Sequence, residues 1–275
     1  MKQSDPHLKV SPEWFSLTAN QQDVLFDHRL VVVPQYNIGG YILIETELDE
    51  FRFRTALQVL IARHDALRLE FREISGEPSQ RILSVLDPDL TILDFSERDH
   101  PLNDAKSWME ADINQSFDVH QAPLCRFALL RVSPVSYCWY FVLHHLISDG
   151  LSEHLMMESF AEIYNAQSQG LPIPVVPSYR DVVDLDLTYR ASKRFARDEN
   201  YWLDRFQTIP EALFPRPLLL SKVKSSNASL VLNKARLEKL DSAAEKAGAK
   251  PFHFFIALFY LYFARTQQNF DQVLG

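Results

Sequence analysis

Residues 137–146 read YCWYFVLHHL, and both alternating sets of side chains are apolar until the two histidines are reached. Successive side chains of a strand point to opposite faces of its sheet. A strand that is apolar on both faces is typical of the middle of a sheet, where it is covered on each side. Residues 123–132, on the other side of the turn Ser133-Pro134, predict a second strand. The two stretches therefore predict the buried centre of a sheet.

Helical and extended patterns surround this centre. The stretch LRLEFREI at residues 67–74 alternates large apolar with charged residues, as a half-exposed strand does. Residues 49–64 instead place apolar side chains at helical spacing. The mixture predicts an α/β protein of the α+β sandwich type. We predict helices over residues 18–30, 49–64, 103–116 and 151–167, strands over 41–46, 67–74 and 80–85, and a loop over 36–40.

A second, shorter unit follows the first. The stretch LPIPVVP at residues 171–177 predicts an extended connector, and residues 178–206 predict one long polar helix. A strand over 228–232, a helix over 234–247 and an apolar helix over 251–264 come next. The pattern parallels the start of the first unit and stops at residue 275. We therefore expect segments 1–177, 178–225 and 226–275, the last being an unfinished repeat of the first.

Composition excludes several classes of protein. The chain has 275 residues, of which 36 are acidic and 28 basic, so its formal net charge is −8. This charge argues against nucleic-acid binding through a broad basic face. The two cysteines, Cys125 and Cys138, cannot form a disulfide framework and fit a reducing compartment. We expect a cytoplasmic protein, because the polar N-terminus predicts no signal peptide and no apolar run reaches the roughly 20 residues of a membrane helix.

The densest group of chemically capable residues is HHLISDG, residues 144–150. It begins where the buried strand ends and stops where the next helix begins. His144 and His145 are adjacent, so they point to opposite faces and cannot share one task. One ring can pack inside while the other faces a cavity and moves a proton near neutral pH. Asp149 and Gly150 form the turn, where a glycine can expose its N–H to a developing oxyanion.

Two other interpretations of these histidines stay open. Both rings can serve only as hydrogen-bonding groups inside the fold. Zinc binding is the other interpretation, but the side chains point apart, and no CxxC or HxxxH spacing accompanies them. P-loop, GxGxxG and GxSxG strings are absent from the sequence, so nucleotide-binding and serine-hydrolase functions have no support. The whole string after an apolar strand favours catalysis without a metal.

A series of ordered motifs resembles the condensation domain of nonribosomal peptide synthetases, within the chloramphenicol-acetyltransferase-like acyltransferases. The matching stretches are LTANQQ (17–22), YNI (36–38), RHDALR (63–68), HHLISDGLS (144–152), YRD (179–181) and YW (201–202). Asn20, Asp65 and Leu151 stand where the family more often has Gln, Glu and Trp. The resemblance implies a mixed sheet flanked by helices, followed by the start of a second similar half, with a tunnel between the two halves of a complete domain.

The resemblance also implies roles for residues of the third motif. His145 matches the histidine that faces the tunnel, and His144 its structural neighbour. Asp149 matches the aspartate that holds the shape of the motif, usually through an ion pair with an arginine. For that ion pair we expect Arg63 first and Arg68 second. The amide of Gly150 is the expected oxyanion donor.

The implied reaction is amide-bond formation. An acyl or peptidyl thioester on the phosphopantetheine arm of a donor carrier protein would be transferred to the amine of an aminoacyl acceptor carrier. The resemblance implies no directly bound cofactor and no metal. The expected partners are peptidyl or aryl carrier proteins, the adjacent synthetase domains, and the second half, supplied either by the missing C-terminal residues or by a second copy.

Other functions stay open at this point. An epimerisation domain shares the histidine string, and a stand-alone acyltransferase would use a coenzyme A donor. A noncatalytic fragment or docking module is the third alternative. Within condensation domains, residues 139–141 and 179–189 look somewhat like siderophore-type starter domains that accept an aryl acid.

Overall fold

A computed structural model describes residues 13–30, 36–87, 89–170, 172, 175–208, 213, 230–268 and 270–273. The chain divides into two compact units, residues 1–192 and 193–275. The predicted segment boundaries at residues 177 and 225 stay predictions.

The first unit contains seven strands and five α-helices among its described residues. In chain order these are β1 (Phe15–Ser16), α1 (Ala19–Leu30), β2 (Asn37–Ile44), α2 (Glu50–Arg63), a 3-10 helix (Asp65–Arg68), β3 (Leu69–Ile74), β4 (Glu77–Ile82), β5 (Leu90–Asp94), α3 (Pro101–Ile113), β6 (Cys125–Ser133), β7 (Ser136–His144), α4 (Gly150–Gln169) and α5 (Tyr179–Arg190).

The larger sheet has the strand order β2-β7-β6-β5. Strand β7 is antiparallel to both of its neighbours, whereas β5 runs parallel to β6, so the sheet is mixed. Residues 137–144 of β7 are all buried, which confirms the prediction of a strand covered on both faces. The smaller sheet has the order β1-β4-β3 and contains the predicted hairpin.

The predicted loop over residues 36–40 is wrong, because β2 already begins at Asn37. Its backbone pairs with β7 from Asn37 opposite His144 onward. Gly39 permits this pairing. A Cβ at this position would collide with the backbone oxygen of Phe141 and would lie 2.9 Å from the Cα of Val142.

Helices cover both faces of the larger sheet. Phe53 of α2 and Phe160 of α4 pack on Trp139, with ring centroids 5.7 Å and 4.2 Å away. On the opposite face, Trp108 of α3 packs against Tyr140, with the ring centroids 5.7 Å apart. Because side chains alternate along β7, odd-numbered residues meet α2 and α4 and even-numbered residues meet α3. The strand ends at His144, an even-numbered residue, and His145 lies in the turn that follows.

The predicted single helix over residues 178–206 is wrong. It is interrupted at Ala191 and Ser192, between α5 and α6 (Lys193–Arg205). The Ala191 N–H donates back to the carbonyls of Leu187 and Tyr189, and the Ser192 hydroxyl donates to Tyr189 O at 2.6 Å. These bonds close the last turn of α5. The boundary between the two compact units falls at the same point.

The second unit contains α6, α7 (Lys234–Lys246) and α8 (Pro251–Gln267). Gly248 follows α7 with φ +67°, which confirms the predicted helix end. In the strand predicted over 228–232, residues 228 and 229 lie outside the described residues, and 230–232 form no strand. Of the described helices, none can cross a membrane alone; α7 and α8 pass as a pair by length and composition, with an 88° bend between them.

Candidate functional site

His144 is the last residue of β7, and its ring is packed inside the first unit with only 1% of the residue exposed. Its Nδ1 accepts a hydrogen bond from the Leu146 N–H at 3.1 Å. Its Nε2 therefore carries the proton and faces His28 Nδ1 at 3.3 Å. Burial, followed by the charges of His28 and His145, lowers the pKa of His144 to about 4. The ring is thus neutral at pH 7 and fully used in bonding.

His145 follows in the turn after β7 and is exposed. Its backbone N–H donates to Tyr36 O at 2.7 Å, which fixes the turn to the start of β2. The ring Nδ1 lies 2.7 Å from the carbonyl oxygen of Ser148. A carbonyl oxygen can only accept, so Nδ1 must carry the proton. In the neutral ring the lone pair is then on Nε2, as a general base requires.

Asp149 is the N-cap of α4. Its Oδ1 accepts from the Ser152 N–H at 2.7 Å and from the Ser152 hydroxyl at 2.6 Å. These two bonds lower the pKa of the Asp149 carboxyl below its ordinary value. The local sequence DGLS explains the geometry, because an aspartate N-cap accepts from the backbone N–H of the first helical turn.

The expected ion pair of Asp149 with an arginine is wrong for both candidates. Arg63 lies 3.3 Å from Glu162 and donates to Ser159 Oγ at 3.0 Å. Arg68 lies 2.6 Å from Asp65 instead. Both arginines are thus occupied elsewhere, and the helix N-terminus takes the place of the expected cation beside Asp149.

Arg68 acts as a structural junction. Its buried guanidinium donates to the carbonyls of Ile61 and Ala62 at the end of α2 and to that of Leu83 after β4. Its partner Asp65 accepts in turn from the hydroxyl of Ser178 and the N–H of Tyr179 at the start of α5, at 2.7 Å and 3.1 Å. The RHDALR motif thus joins α2, β4 and α5 and contributes no group to the histidine site.

Gly150 is the first residue of α4. Its φ lies outside the left-handed region, so this position does not depend on backbone angles that favour glycine. A Cβ at Gly150 would meet nothing within 4 Å. The Gly150 N–H is one of the first four amides of the helix, which have no acceptor within the helix itself. An amide at a helix N-terminus with open space around it can donate to an anionic oxygen.

Sequence reasoning missed Glu153. Its Oε1 is buried and has no hydrogen-bond partner among the described residues. Burial raises the pKa of the Glu153 carboxyl, while the charge of His145 lowers it and that of Asp149 raises it again. Helical spacing could have revealed this residue, because it lies four positions after Asp149 in a predicted helix. The Glu153 carboxyl is therefore close enough to His145 and Asp149 to be influenced by their charges.

Residues that commonly bind metal ions do not cluster in the described part of the chain. No three His, Cys, Asp or Glu side chains there are grouped as a metal ion would require. Burial raises the pKa of the Cys125 thiol to about 12, so this thiol stays protonated and unreactive at neutral pH.

The condensation-domain profile matches residues 13–275. The chain belongs to the condensation-domain family. In this condensation-domain chain, residues 144–150 are the string on which the family resemblance depends. The string contains the exposed imidazole of His145, the capping carboxylate of Asp149 and the neutral, buried ring of His144.

Curated relatives of this condensation-domain chain are large synthetases. It is 30% identical over 245 residues to tyrocidine synthase 3 of Brevibacillus parabrevis, covering 87% of this chain and 4% of the relative. It is 30% identical over 269 residues to the dimodular nonribosomal peptide synthase of Bacillus subtilis (strain 168), covering 95% and 11%. The chain thus spans a small part of the length of these relatives.

Solved structures agree with the fold. The first condensation domain of the calcium-dependent antibiotic synthetase, in complex with a substrate analogue, matches with a TM-score of 0.82 and 26% identity, over 95% of this chain and 63% of that one. The starter condensation domain of rhizomide synthetase matches with a TM-score of 0.73 and 27% identity, over 94% and 59%. The α/β fold, with sheets flanked by helices, is therefore the acetyltransferase-like fold of condensation domains, as predicted.

Proposed function

We propose that this chain carries the catalytic histidine of an amide-forming condensation domain in a nonribosomal peptide synthetase. The observation that carries the proposal is the exposed His145 ring, whose Nδ1 is held by Ser148 O so that Nε2 bears the lone pair. The donor would be an acyl or peptidyl thioester on a carrier protein. The acceptor would be the amine of an aminoacyl group on a second carrier.

The bond changes balance without a metal or a redox cofactor. The amine nitrogen attacks the thioester carbon, and His145 Nε2 accepts the proton that the amine loses. The thioester oxygen carries the negative charge of the intermediate, for which the Gly150 N–H is the candidate donor. Collapse of the intermediate forms the amide and expels the thiolate, which takes the proton from the imidazolium. Tethering of both substrates would supply proximity in addition to proton transfer.

Asp149 and His144 would support His145 without touching the substrates. Asp149 fixes the start of α4 through Ser152, and the backbone turn from Leu146 to Ser148 is held at its other end by His144. The ring of His145 is thus anchored to a turn that is fixed on both sides. Such anchoring keeps a catalytic group in its productive orientation.

Membership in the condensation-domain family supports carrier proteins and adjacent synthetase domains as partners. We propose that the chain works with donor and acceptor carrier proteins, through their phosphopantetheine arms, and with adjacent synthetase domains. The donor's chemical class, a starter role of the siderophore type and the cytoplasmic location stay predictions from the sequence.

The test uses the whole chain with an acyl-loaded donor carrier and an aminoacyl-loaded acceptor carrier. Mass spectrometry of the acceptor arm would detect the amide product. We expect His145→Ala to lower the rate by about 10²- to 10⁴-fold, the usual contribution of general acid–base catalysis. The matched control is His154→Ala, an exposed histidine of α4 that lies 3.3 Å from Glu158.

Two outcomes would overturn the proposal. An unchanged rate for His145→Ala would remove the imidazole from the reaction. No product from the wild-type chain, with carrier binding intact, would show that the chain is a noncatalytic fragment by itself. Replacing the donor carrier by a coenzyme A thioester in a parallel reaction would separate carrier-dependent transfer from that of a stand-alone acyltransferase.

A further inference from the structure

Two buried amide side chains lie next to the turn that follows β7. Gln21 of α1 is 5% exposed and Gln80 of β4 is 0% exposed. The Nε2 of each donates to the Oε1 of the other at 2.9 Å, so the two form a reciprocal amide pair. Burial of a polar group is costly unless the group is hydrogen-bonded. The other hydrogen bonds of the pair therefore show which parts of the fold it joins.

Gln21 contacts the turn directly. Its Nε2 also donates to Leu146 O at 3.3 Å, across 125 residues of chain. At the other end of the amide, its Oε1 accepts from the backbone N–H of Thr18 at 3.0 Å. A carbonyl oxygen can only accept and a backbone N–H can only donate. These two backbone groups therefore fix the orientation of the Gln21 amide without help from Gln80.

Leu146 lies between the two ends of the hydrogen bond that holds the His145 ring. It directly follows His145, and Ser148, whose carbonyl oxygen is 2.7 Å from Nδ1 of the ring, comes two residues later. The Leu146 N–H already donates to His144 Nδ1 at 3.1 Å. The bond from Gln21 therefore completes the bonding of this backbone segment, because it holds the Leu146 carbonyl as well.

We propose that Gln21 is a positioning residue for His145. The inference rests on the function proposed above, in which His145 Nε2 accepts a proton. By holding Leu146 O, Gln21 keeps Ser148 O in the place where it accepts from Nδ1, and the lone pair then stays on Nε2. A displacement of about 1 Å in a catalytic site can lower the rate by about 10²-fold. Gln21 is buried and acts through the turn.

Gln80 provides a matched control. Besides its bond to Gln21, its Nε2 donates to Ser16 O at 3.0 Å, and none of its hydrogen bonds to the described residues reaches the turn. Gln21→Met and Gln80→Met each remove one member of the amide pair and keep a side chain of similar size. Both should destabilise the chain, but only Gln21→Met removes the bond to Leu146 O. A purely structural role of Gln21 would make the two variants alike.

The first measurement is the position of the proton on the His145 ring, and it needs no turnover. Two-dimensional NMR of the chain with ¹⁵N-labelled histidine, at about pH 8.5, where an ordinary imidazole is neutral, shows which ring nitrogen is protonated. The chain has 9 histidines, and the signal that disappears in His145→Ala is that of His145. We expect mainly Nδ1–H in the wild type and in Gln80→Met. In Gln21→Met the share of Nε2–H should rise by about twofold or more, because Ser148 O is held less firmly.

The second measurement is the rate of amide formation with loaded donor and acceptor carriers. We expect Gln21→Met to lower kcat by roughly tenfold. It should leave KM for the acceptor carrier unchanged, because a buried side chain does not contact a protein partner. Gln80→Met should keep the kcat of the wild type. If Gln21→Met does not fold, Gln21→Asn replaces it, since this side chain keeps the amide but is one CH₂ group too short to span Thr18 N and Leu146 O.

Two results would overturn the positioning role. They are an unchanged ratio of Nδ1–H to Nε2–H in the Gln21 variant, and equal losses of kcat in the Gln21 and Gln80 variants. Failure of the proposed function has a different signature, because His145→Ala would then leave the rate unchanged or the wild-type chain would form no product. In that case the position of the ring proton alone decides whether Gln21 orients His145.

Discussion

Two histidine-containing motifs, residues 63–68 and residues 144–150, use their hydrogen-bonding groups in opposite ways. In the first, Arg68 and Asp65 bond to each other and to backbone groups of three elements. In the second, His145 is exposed with one ring nitrogen held, and the neighbouring Glu153 has a buried oxygen without a partner among the described residues. The first motif thus joins elements of the fold, although the buried Nε of Arg63 has no partner among the described residues. The second motif differs in that it presents an exposed ring whose Nε2 is not held by the fold.

The largest expected effect on stability is at the first motif. Arg68→Met should lower the free energy of unfolding by about 3–5 kcal/mol, since it removes one partner of a buried ion pair. The control is Arg72→Met in β3, whose side chain is 56% exposed and should change stability by less than about 1 kcal/mol. Urea unfolding followed by circular dichroism measures both. Equal stabilities of the two variants would contradict the structural role of the first motif.

A substitution at His144 tests whether the two histidines of the second motif have separate roles. The pKa of its ring is about 4 in the folded chain and near 6.5 when unfolded, so the unfolded chain binds the proton first. Its contribution to stability is therefore complete above about pH 6.5 and is lost as the pH falls towards 4. We expect a loss of roughly 1 kcal/mol at pH 5.5 relative to pH 7.5.

His144→Leu should flatten this dependence on pH, and the exposed-histidine variant His154→Leu should retain it. His28 also faces His144, and burial lowers its pKa too, so a part of the slope remains in His144→Leu. Unfolding measured at both pH values checks the expectation. The same slope in wild type and His144→Leu would show that His144 does not titrate in this range.

Asp149 and Asp49 give a matched pair of helix caps. Each aspartate accepts a hydrogen bond from the N–H three residues later, at the start of α4 and of α2 respectively. Asp149→Ala and Asp49→Ala should each destabilise the chain by about 1 kcal/mol, but only Asp149→Ala should also slow amide formation. Since the folded pKa of Asp149 is lowered, its contribution is present above about pH 4 and lost as the pH falls below that value. Equal rates for the two variants would remove Asp149 from the support of His145.

Local signals were sufficient for much of the fold. The apolar faces of residues 137–144 placed β7, and the helical spacing from residue 49 onward placed α2. Long-range pairing was not accessible in the same way. Strand β5 has only five residues and pairs in parallel with β6, and residues 37–40 resemble a loop until their partners on β7 are known. The interruption between α5 and α6 at Ala191 depends on hydrogen bonds that helix propensities do not predict.

The candidate site shows the same difference between features that local sequence predicts and features that depend on long-range packing. The burial of His144 and the exposure of His145 agree with the expectation that the two rings have different tasks, whereas the partners of Arg63 and Arg68 depended on packing. Arg63 meets Ser159 and Glu162 across almost a hundred residues of chain, and no local pattern indicates that contact. The family resemblance therefore indicated an ion pair of Asp149 with Arg63 or Arg68 that the structure does not have, and the roles that it implies for the histidine string stay predictions.

The smallest expected change in stability is at Glu153. Whether the substitution stabilises or destabilises the chain tests the comparison between the two motifs. Because burial raises its pKa in the folded chain, the unfolded carboxyl ionises first, and the carboxylate destabilises the fold as the pH rises above its ordinary value. Glu153→Gln should therefore stabilise the chain at pH 7, by no more than about 0.5 kcal/mol, while changing the pH profile of amide formation. The control Glu158→Gln, on the same helix and 60% exposed, should change neither. If Glu153→Gln were destabilising instead, the carboxylate would have a partner in the fold, and the two motifs would differ less than their geometry indicates.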